Sequence, residues 1–211
     1  MLIYLIRHGQ TDWNCRRLFQ GELDIPLNEQ GLAQAEGIGR RFQGVAIDRI
    51  YHSPLSRAKD TAAALARCTG APLYPIDGLH EICMGDWQGK TFAQAEAENP
   101  QWARRFKEDP TCPAPGGESF PDLQRRALLA LDEVLQGGCE TVAVVSHGAL
   151  IKTLICSFLH MDLHALHTFD ISNASVTTVL YEQKRFKVIT LNDICHLPGS
   201  FALLAQNSAV I

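Results

Sequence analysis

The chain has 211 residues, of which 46% are hydrophobic and 20% charged, and its formal net charge is -4. This length suits one substantial domain with a full core, and the composition is that of an ordinary globular protein rather than a disordered one. The acidic balance argues against nucleic acid as a partner, so any site for an anion has to be a local basic pocket.

The seven cysteines are an odd number and include no C-x-x-C pair, which favours free thiols in a reducing compartment and hence a cytoplasmic location. The apolar run at residues 2–6 is shorter than the roughly 7 to 15 residues of a signal-peptide core. No stretch approaches the roughly 20 apolar residues of a membrane span, so we expect no membrane partner.

Short apolar runs alternate with longer helical patterns along the chain, which is typical of strand-helix-strand units around a largely parallel sheet. The predicted strands are residues 2–6, 47–51, 73–76, 142–146, 176–181 and 186–190. A short polar loop joins the last two, which predicts an antiparallel hairpin at the edge of the sheet. The expected fold class is α/β, a three-layer sandwich with a mostly parallel six-stranded sheet and one antiparallel edge strand.

Capping residues indicate where several helices begin. Asn28 is a predicted N-cap, because apolar residues recur at helical spacing after it. Ser53, followed by a proline, predicts a second start that places Arg57 in the first turn. Ser119 opens a third helix, and residues 149–159 predict a helix packed on the sheet.

The regular alternation fails between the third and fourth predicted strands, and residues 82–118 predict a small helical cap inserted into a single domain of residues 1–197. Four aromatic residues lie in this cap, namely Trp87, Phe92, Trp102 and Phe106. We expect most of them to pack a small core and one or two to contact a ligand. Residues 198–211 form a tail that could dock on the body or on a second subunit, which leaves a homodimer open.

Three histidines raise the question of a metal site, because His160, His164 and His167 recur at spacings that would align them on one helix face. Their surroundings offer neither a glutamate base nor an obvious fourth ligand. A turn between elements is therefore the preferred interpretation, and we expect no metal or other cofactor.

The motif Arg7-His8-Gly9-Gln10-Thr11 follows directly on the first predicted strand. Open α/β sheets carry their chemistry at the carboxyl ends of the strands. An arginine and a histidine at that edge indicate an anionic substrate, which the guanidinium group binds and the imidazole attacks.

Four further motifs follow in chain order, each at an expected strand end, helix start or connecting loop: Phe19-Gln20-Gly21, Ser53-Pro54-Leu55-Ser56-Arg57-Ala58, Leu79-His80-Glu81 and Ser146-His147-Gly148. Each motif alone is weak evidence, but the ordered set is specific. From Met1 to about Leu197 the chain resembles the histidine phosphatase superfamily, in the branch named for cofactor-dependent phosphoglycerate mutase.

The resemblance implies that Arg7, Arg57 and His147 surround the phosphate and that His8 is the nucleophile that becomes phosphohistidine. Guanidinium groups offer phosphoryl oxygens bidentate hydrogen bonds that a lysine cannot make. His8 must be neutral to attack, and repulsion from two nearby arginines should lower its pKa. Glu81 fits the general acid that protonates the leaving alkoxide and then deprotonates the attacking water.

Further residues are expected to bind the substrate. Asn14 and Gln20 match positions that in this family contact the phosphate or the substrate near it, although either could equally satisfy loop backbone. Gly21, next to Gln20 in its motif, is expected at the substrate as well. Gly148 lacks a side chain, which would let backbone N–H groups of the following helix approach an anion. Glu118 either faces the non-phosphate part of the substrate or stabilises a helix N-terminus electrostatically.

Phosphatases and mutases share the motifs above, so a different segment has to separate them. The pattern Gly85-x-Trp87-x-Gly89 stands where mutases of this kind carry a longer insertion, and it favours hydrolysis of a small phosphorylated metabolite. The compact cap and the closing residues 191–197 are similar to those of α-ribazole phosphatases, which makes α-ribazole 5′-phosphate a candidate substrate. A phosphoglycerate mutase and a protein that binds phosphorylated ligands without turnover stay as alternatives.

Overall fold

We describe residues 1–199 in a computed structural model of the chain. The strands are β1 (Leu2–Arg7), β2 (Arg49–His52), β3 (Leu73–Pro75), β4 (Thr141–Ser146), β5 (Val176–Glu182) and β6 (Arg185–Asp193). They form one sheet in the order β3-β2-β4-β1-β5-β6, in which β5 runs antiparallel to both of its neighbours and the other pairings are parallel. The mostly parallel sheet and the antiparallel hairpin at its edge are therefore confirmed, and the reversed strand is β5, one position in from the edge.

The helices are α1 (Asp12–Cys15), α2 (Glu29–Arg41), α3 (Ser56–Thr69), α4 (Phe92–Glu98), α5 (Pro100–Glu108), α6 (Phe120–Gln136) and α7 (Gly148–Phe158). Short 3-10 helices lie at Asp77–Leu79, Gly85–Trp87 and Leu163–His167. The predicted N-caps Asn28 and Ser119 are confirmed, because each side chain accepts a hydrogen bond from the N–H group three residues on.

The predicted start of α3 is wrong, because Ser53 is not its N-cap. The helix begins at Ser56, after Leu55, and its first N–H, that of Ser56, donates to the Asp24 carboxylate at 2.7 Å. The Ser53 hydroxyl lies instead 2.8 Å from the ring of His147, which follows the neighbouring strand β4. Because the hydroxyl contacts this ring, it does not cap the helix. Arg57 nevertheless lies in the first turn, as predicted.

The sheet separates two apolar layers, because alternate side chains of a strand point to opposite faces. In β1, Ile3 and Leu5 pack in the cluster that includes α6 and α7, whereas Ile6 packs in the cluster that includes α2 and α3. In β4, Val144 and Val145 divide between the two clusters in the same way. The three-layer α/β sandwich is therefore confirmed.

The cap predicted for residues 82–118 contains α4 and α5 and joins the core on the α6 and α7 side. Trp87 and Phe106 are buried there, and Phe92 and Trp102 pack against them partly exposed, so the cap aromatics pack a core as expected. The extent of the single domain stays a prediction. The tail predicted from residue 198 lies outside the described residues from residue 200 onward.

The three candidate metal-binding histidines do not share a helix face. His160 has a left-handed backbone, with φ at 54°, and precedes the 3-10 helix that holds the other two. Within residues 1–199, no three side chains of the metal-binding types come together as a metal site. The seven cysteines are free thiols, as predicted, and none of the described helices is long and apolar enough to cross a membrane.

Candidate active site

The parallel pairing of β1 with β4 brings two histidines together at the carboxyl edge of the sheet. Arg7 lies opposite Ser146 in the register, and the His8 N–H donates to the Ser146 carbonyl at 3.0 Å. The rings of His8 and His147, one residue beyond these strands, have centroids 5.1 Å apart. Two motifs that are about 140 residues apart in sequence thus form one site, at the edge where this class of sheet does its chemistry.

The ring of His8 is oriented by a backbone carbonyl, which leaves Nε2 unprotonated. Its Nδ1 atom lies 2.6 Å from the carbonyl oxygen of Gly9, a distance at which the ring N–H donates to the carbonyl and Nε2 keeps its lone pair. Burial lowers the pKa of His8 well below its ordinary value, and the charges of Arg57 and Arg7 add to that effect. The predicted fall is confirmed, with burial rather than repulsion as the largest cause.

Backbone carbonyls fix the two arginines. Arg57 is fully buried and donates to the carbonyls of Gly21 and Leu23 at 2.8 and 2.7 Å. Burial lowers its pKa to about 10, so it stays charged near neutral pH. Arg7 donates to the carbonyl of Ile171 at 2.5 Å. Because these carbonyls take only part of each guanidinium group, donors remain for a ligand.

Three buried nitrogen atoms at this site have no hydrogen-bond partner in the described part of the chain: Arg7 Nε, Arg57 Nε and His147 Nδ1. Buried donors in folded proteins are nearly always paired, and a protein does not bury several together without a partner for them. They belong to the three residues that the sequence assigns to the phosphate. An oxyanion is the ligand that fits two guanidinium groups and a ring N–H.

Ser53 contacts Nε2 of His147 and favours the ring proton on the other nitrogen, Nδ1. The Ser53 Oγ atom accepts the N–H of Leu55 at 3.3 Å, so its own hydrogen is free to donate to His147 Nε2 at 2.8 Å. Burial, followed by the charge of Arg57, lowers the pKa of His147 well below its ordinary value, so the ring is neutral. A neutral ring that accepts at Nε2 carries its proton on Nδ1, the atom that lacks a protein partner.

Glu81 is placed by the first turn of α7. Its carboxylate accepts the N–H groups of Ala149 and Leu150, each at 3.3 Å, and the N–H of Ile82 at 3.1 Å. The amides that the sequence analysis assigned to an anionic ligand are thus occupied by a side chain of the protein. Glu81 serves as the N-terminal cap that the His147 side chain does not supply.

Gly148 lines the cavity, as expected of a substrate contact, and its missing side chain also leaves room for Arg7. A Cβ atom at this position would lie 3.3 Å from both Cζ and Nε of Arg7, so the guanidinium group would have to shift by a few tenths of an ångström. The role of Gly148 at the substrate stays a prediction.

A cavity of about 680 Å³ opens at this edge of the sheet. Of the predicted site residues, it is lined by Arg7, His8, Asn14, Gln20, Gly21, Arg57, Glu81 and Gly148. His147 is fully buried beside His8. Of the four cap aromatics only Phe106 lines the cavity, so it is the one in place for the expected ligand contact, which stays a prediction.

The amide oxygens of Asn14 and Gln20 are both used within the protein. Asn14 Oδ1 accepts from the backbone N–H of Thr11 and from Asn173 Nδ2, and Gln20 Oε1 accepts from the Thr11 hydroxyl. These bonds orient both side chains, and within residues 1–199 neither amide nitrogen donates to the protein. Each amide NH₂ group is therefore available to an anionic ligand.

Glu118 does not reach the cavity. Its carboxylate forms an ion pair with Arg126 at 2.8 Å. Arg126 in turn donates to the carbonyls of Gly78 and His80, both at 2.9 Å, and of Glu81 at 3.3 Å. The predicted substrate contact of Glu118 is thus replaced by a pairing that supports the segment carrying Glu81.

Sequence reasoning missed several polar residues that line the cavity, among them Lys152, Asp170, Ser172 and Asn173. Lys152 had a signal, because it is the one charged residue in α7 and lies four positions after Gly148, on the same helix face. The segment from Asp170 to Asn173 had no motif. Its place in the site follows from the antiparallel addition of β5 beside β1.

Comparison with known proteins agrees with this geometry. Residues 3–194 match the family model of the histidine phosphatase superfamily (branch 1), so the chain belongs to that superfamily and is a histidine phosphatase. It is 32% identical to phosphoserine phosphatase 1 of Hydrogenobacter thermophilus, with 98% of each chain covered.

Three solved structures share the fold and most of the length. YhfR of Bacillus stearothermophilus matches with a TM-score of 0.87 and 35% identity, over 92% of this chain and 98% of that one. A phosphoserine phosphatase mutant from Entamoeba histolytica, in complex with phosphoserine, matches with a TM-score of 0.83 and 34% identity over 93% and 99%. A putative α-ribazole-5′-phosphate phosphatase of Escherichia coli matches with a TM-score of 0.85 and 26% identity over 92% and 96%.

Proposed function

We propose that this protein hydrolyses the phosphate monoester of a small phosphorylated metabolite through a phosphohistidine at Nε2 of His8. The observation that carries the proposal is the set of buried, unpartnered donors of Arg7, Arg57 and His147 beside a neutral His8. Enzymes of phosphoryl transfer act mainly by positioning the group and neutralising its charge, and this arrangement supplies both.

In the first half-reaction, the lone pair of His8 Nε2 forms a bond to phosphorus as the bond from phosphorus to the alcohol oxygen breaks. The Gly9 carbonyl accepts the Nδ1 hydrogen and stabilises the positive charge that develops on the ring. The donors of Arg7 and Arg57 hold the phosphoryl oxygens throughout. Glu81 gives its proton to the leaving alkoxide, as the general acid of this step.

In the second half-reaction, a water molecule attacks phosphorus and displaces His8. Glu81, now a carboxylate, accepts the proton of that water, which returns both residues to their starting states. The N–H groups of Ala149 and Leu150 keep the carboxylate in place when it is ionised. No metal enters this sequence of steps.

Two substrate candidates have support. The similarity to the putative E. coli α-ribazole-5′-phosphate phosphatase and the cavity of about 680 Å³ support the α-ribazole 5′-phosphate predicted from the sequence. The higher identities to two phosphoserine phosphatases, 32% and 34%, support a phosphorylated amino acid. Both candidates are phosphate monoesters of small alcohols and use the same reaction.

The proposal is tested with purified protein, p-nitrophenyl phosphate and a panel that includes α-ribazole 5′-phosphate, O-phosphoserine and 3-phosphoglycerate. We expect release of inorganic phosphate and, after rapid acid-free quenching, a phosphoryl group on His8 detected by mass spectrometry. His8→Ala should abolish both signals, whereas His164→Ala, at an exposed histidine, should leave them intact.

Other outcomes distinguish the alternatives. Interconversion of phosphoglycerates that depends on bisphosphoglycerate, without net hydrolysis, would identify a mutase. Binding of phosphorylated compounds with neither phosphate release nor label on His8 would identify a protein that binds without turnover. Either result overturns the proposed hydrolysis.

A further inference from the structure

The wall of the cavity contains a buried lysine that the proposed reaction does not use. Lys152 lies in α7, where every other residue is uncharged, one helical turn beyond Gly148. Its side chain is 7% exposed, yet it lines the cavity. An ammonium group that is removed from water to this extent is costly unless anions or acceptors surround it.

The protein satisfies this ammonium group only in part. Lys152 Nζ donates to the carbonyl of Leu166 at 3.0 Å. The nearest carboxylate, that of Asp170, is 3.8 Å away, beyond hydrogen-bond distance, and is 48% exposed. Since an ammonium group has three hydrogens, donors of Lys152 remain for a ligand. Burial lowers the pKa of Lys152 to about 8, with Asp170 acting against the fall, so the group is mainly charged at pH 7.

Ser172, two residues after Asp170 in the same segment of the cavity wall, supplies a second unused donor. The residue is 3% exposed and lines the cavity, and its hydroxyl oxygen is buried without a hydrogen-bond partner within residues 1–199. A buried hydroxyl in this situation calls for a ligand atom or an ordered water. Lys152 and Ser172 together form what we call the inner subsite.

The inner subsite lies next to the phosphate site, because one short segment contacts both. Arg7 donates to the carbonyl of Ile171, the residue between Asp170 and Ser172, whereas Lys152 approaches the side chain of Asp170. Consecutive Cα atoms are about 3.8 Å apart, so the two cations meet neighbouring residues of this segment. Along α7, the one-turn step from Gly148 to Lys152 is about 6 Å. The two anion-binding sites are therefore neighbours, close enough that the charge of Arg7 adds to burial in lowering the pKa of Lys152.

We propose that the inner subsite binds a carboxylate of the substrate whose phosphate is held by Arg7, Arg57 and His147. The inference rests on the proposed function and narrows its substrate to a phosphorylated hydroxy acid or amino acid with the carboxylate a few bonds from the ester oxygen. Lys152 neutralises the carboxylate and Ser172 donates a second hydrogen bond to it. A bound anion also relieves the repulsion between the charges of Arg7 and Lys152.

A purely structural role for Lys152 makes a different prediction. If its only task were to hold the Leu166 carbonyl, its loss would lower activity on every phosphate monoester by the same factor. The carboxylate subsite predicts that the loss depends on the substrate. Pairs of substrates that differ at one group therefore decide between the two roles.

Two such pairs are O-phosphoserine with O-phosphoethanolamine, and 3-phosphoglycerate with glycerol 3-phosphate. In each pair the first compound carries a carboxylate that the second lacks. We expect kcat/KM of the wild-type protein to favour the acid by about 10-fold to 100-fold, the range of one charge-assisted hydrogen bond. In Lys152→Met the acid preference should fall by a similar factor, and in Ser172→Ala by about 3-fold to 10-fold.

Lys59→Met, at an exposed lysine of α3, is the matched control and should keep the preference of the wild-type protein. Equal kcat/KM for the two members of each pair in the wild-type protein would overturn the inner subsite, as would an equal loss on both members in Lys152→Met. The wild-type comparison decides the question even if Lys152→Met fails to fold.

Binding separates a failure of the inner subsite from a failure of the proposed hydrolysis. Calorimetry with His8→Ala, which cannot form phosphohistidine, should show 3-phosphoglycerate binding at least about 10-fold more tightly than glycerol 3-phosphate. Hydrolysis of p-nitrophenyl phosphate without this difference rejects the subsite and keeps the phosphatase. Tighter binding of 3-phosphoglycerate than of glycerol 3-phosphate, without any hydrolysis, keeps the subsite and rejects the phosphatase.

Discussion

The hydroxyl of Ser53 lies 2.8 Å from Nε2 of His147, and its oxygen accepts the N–H of Leu55. With the hydroxyl hydrogen donated to Nε2, the ring proton lies on Nδ1, where the phosphate is expected. Ser53 is therefore a positioning residue, which acts on the substrate through the tautomer of His147.

Ser53→Ala should lower kcat/KM by about 10-fold to 100-fold, because His147 then has no group that holds its proton on Nδ1. Steady-state kinetics with p-nitrophenyl phosphate measures the loss. Ser56→Ala, in the first turn of α3, is the control and should change kcat/KM by less than about twofold. NMR of ¹⁵N-labelled histidine separates the positioning role from a purely structural one, since the His147 tautomer changes only in Ser53→Ala.

Gly148→Ala should impair catalysis more than folding. The new methyl group would lie 3.3 Å from the guanidinium carbon of Arg7 and would shift this proposed phosphate ligand by a few tenths of an ångström. We expect kcat/KM to fall by at least about 10-fold, since misplaced charge is costly in phosphoryl transfer. Gly37→Ala, in the interior of α2 with no neighbour closer than 3.5 Å, should keep activity and gain about 0.5–1 kcal/mol of unfolding free energy. Full activity in Gly148→Ala would show that Arg7 tolerates the displacement.

Arg126→Met should make Glu81 a less effective general acid. Arg126 donates hydrogen bonds to the carbonyls of Gly78, His80 and Glu81 and so fixes the segment that carries Glu81. An alkyl phosphate such as glycerol 3-phosphate needs a proton for its leaving oxygen far more than p-nitrophenyl phosphate does. We expect kcat/KM to fall by about 10-fold or more on the alkyl ester and by clearly less on the aryl ester.

The neighbouring Arg125 provides the control for this variant. Arg125 is exposed and pairs with Asp122, so Arg125→Met should leave both rates near those of the wild-type protein. A fall of equal size on the alkyl and aryl esters in Arg126→Met would indicate general destabilisation instead of a displaced acid. Thermal melting of both variants measures that destabilisation directly.

Acid should destabilise the fold through its buried histidines. The pKa values of His8 and His147 lie well below 6.5 in the folded protein, whereas an unfolded histidine titrates near 6.5. Below that pH the unfolded chain binds more protons, so the contribution of each histidine is fully present above pH 6.5 and is lost as the pH falls. The loss approaches about 1.4 kcal/mol per pH unit for each group.

Urea denaturation at pH 7, 6 and 5 measures this loss. His8→Gln should show a shallower decline than the wild-type protein, because one of the two groups no longer titrates. His164→Gln should not flatten the decline, since Asp162 raises the pKa of that exposed histidine and its effect has the opposite sign. An unchanged slope in His8→Gln would mean that His8 is protonated as readily in the folded chain as in the unfolded one.

The cap shows which structural features a local sequence pattern can predict and which it cannot. Aromatic residues without regular periodicity indicated an insertion with its own packing, and Trp87 and Phe106 are buried as expected. The sequence did not reveal that the cap shares one core with the sheet, because that depends on which face of the sheet the insertion covers. The same uncertainty applied to Glu118, whose partner Arg126 lies on the long helix behind the site.

The amino-acid sequence by itself determined the class of fold and the principal groups of the site. Apolar periodicity is a local property that predicts strands and helices, and the Arg7-His8 motif follows its strand directly, so both could be read without coordinates. Only the tertiary structure decided which partners these groups have. The Ser53 hydroxyl contacts His147 instead of capping α3, and the Glu81 carboxylate accepts hydrogen bonds from N–H groups of α7. Lys152 and Ser172 line the same cavity. Each of these outcomes depends on the competition of distant donors and acceptors for one another, which packing settles and a linear pattern does not contain.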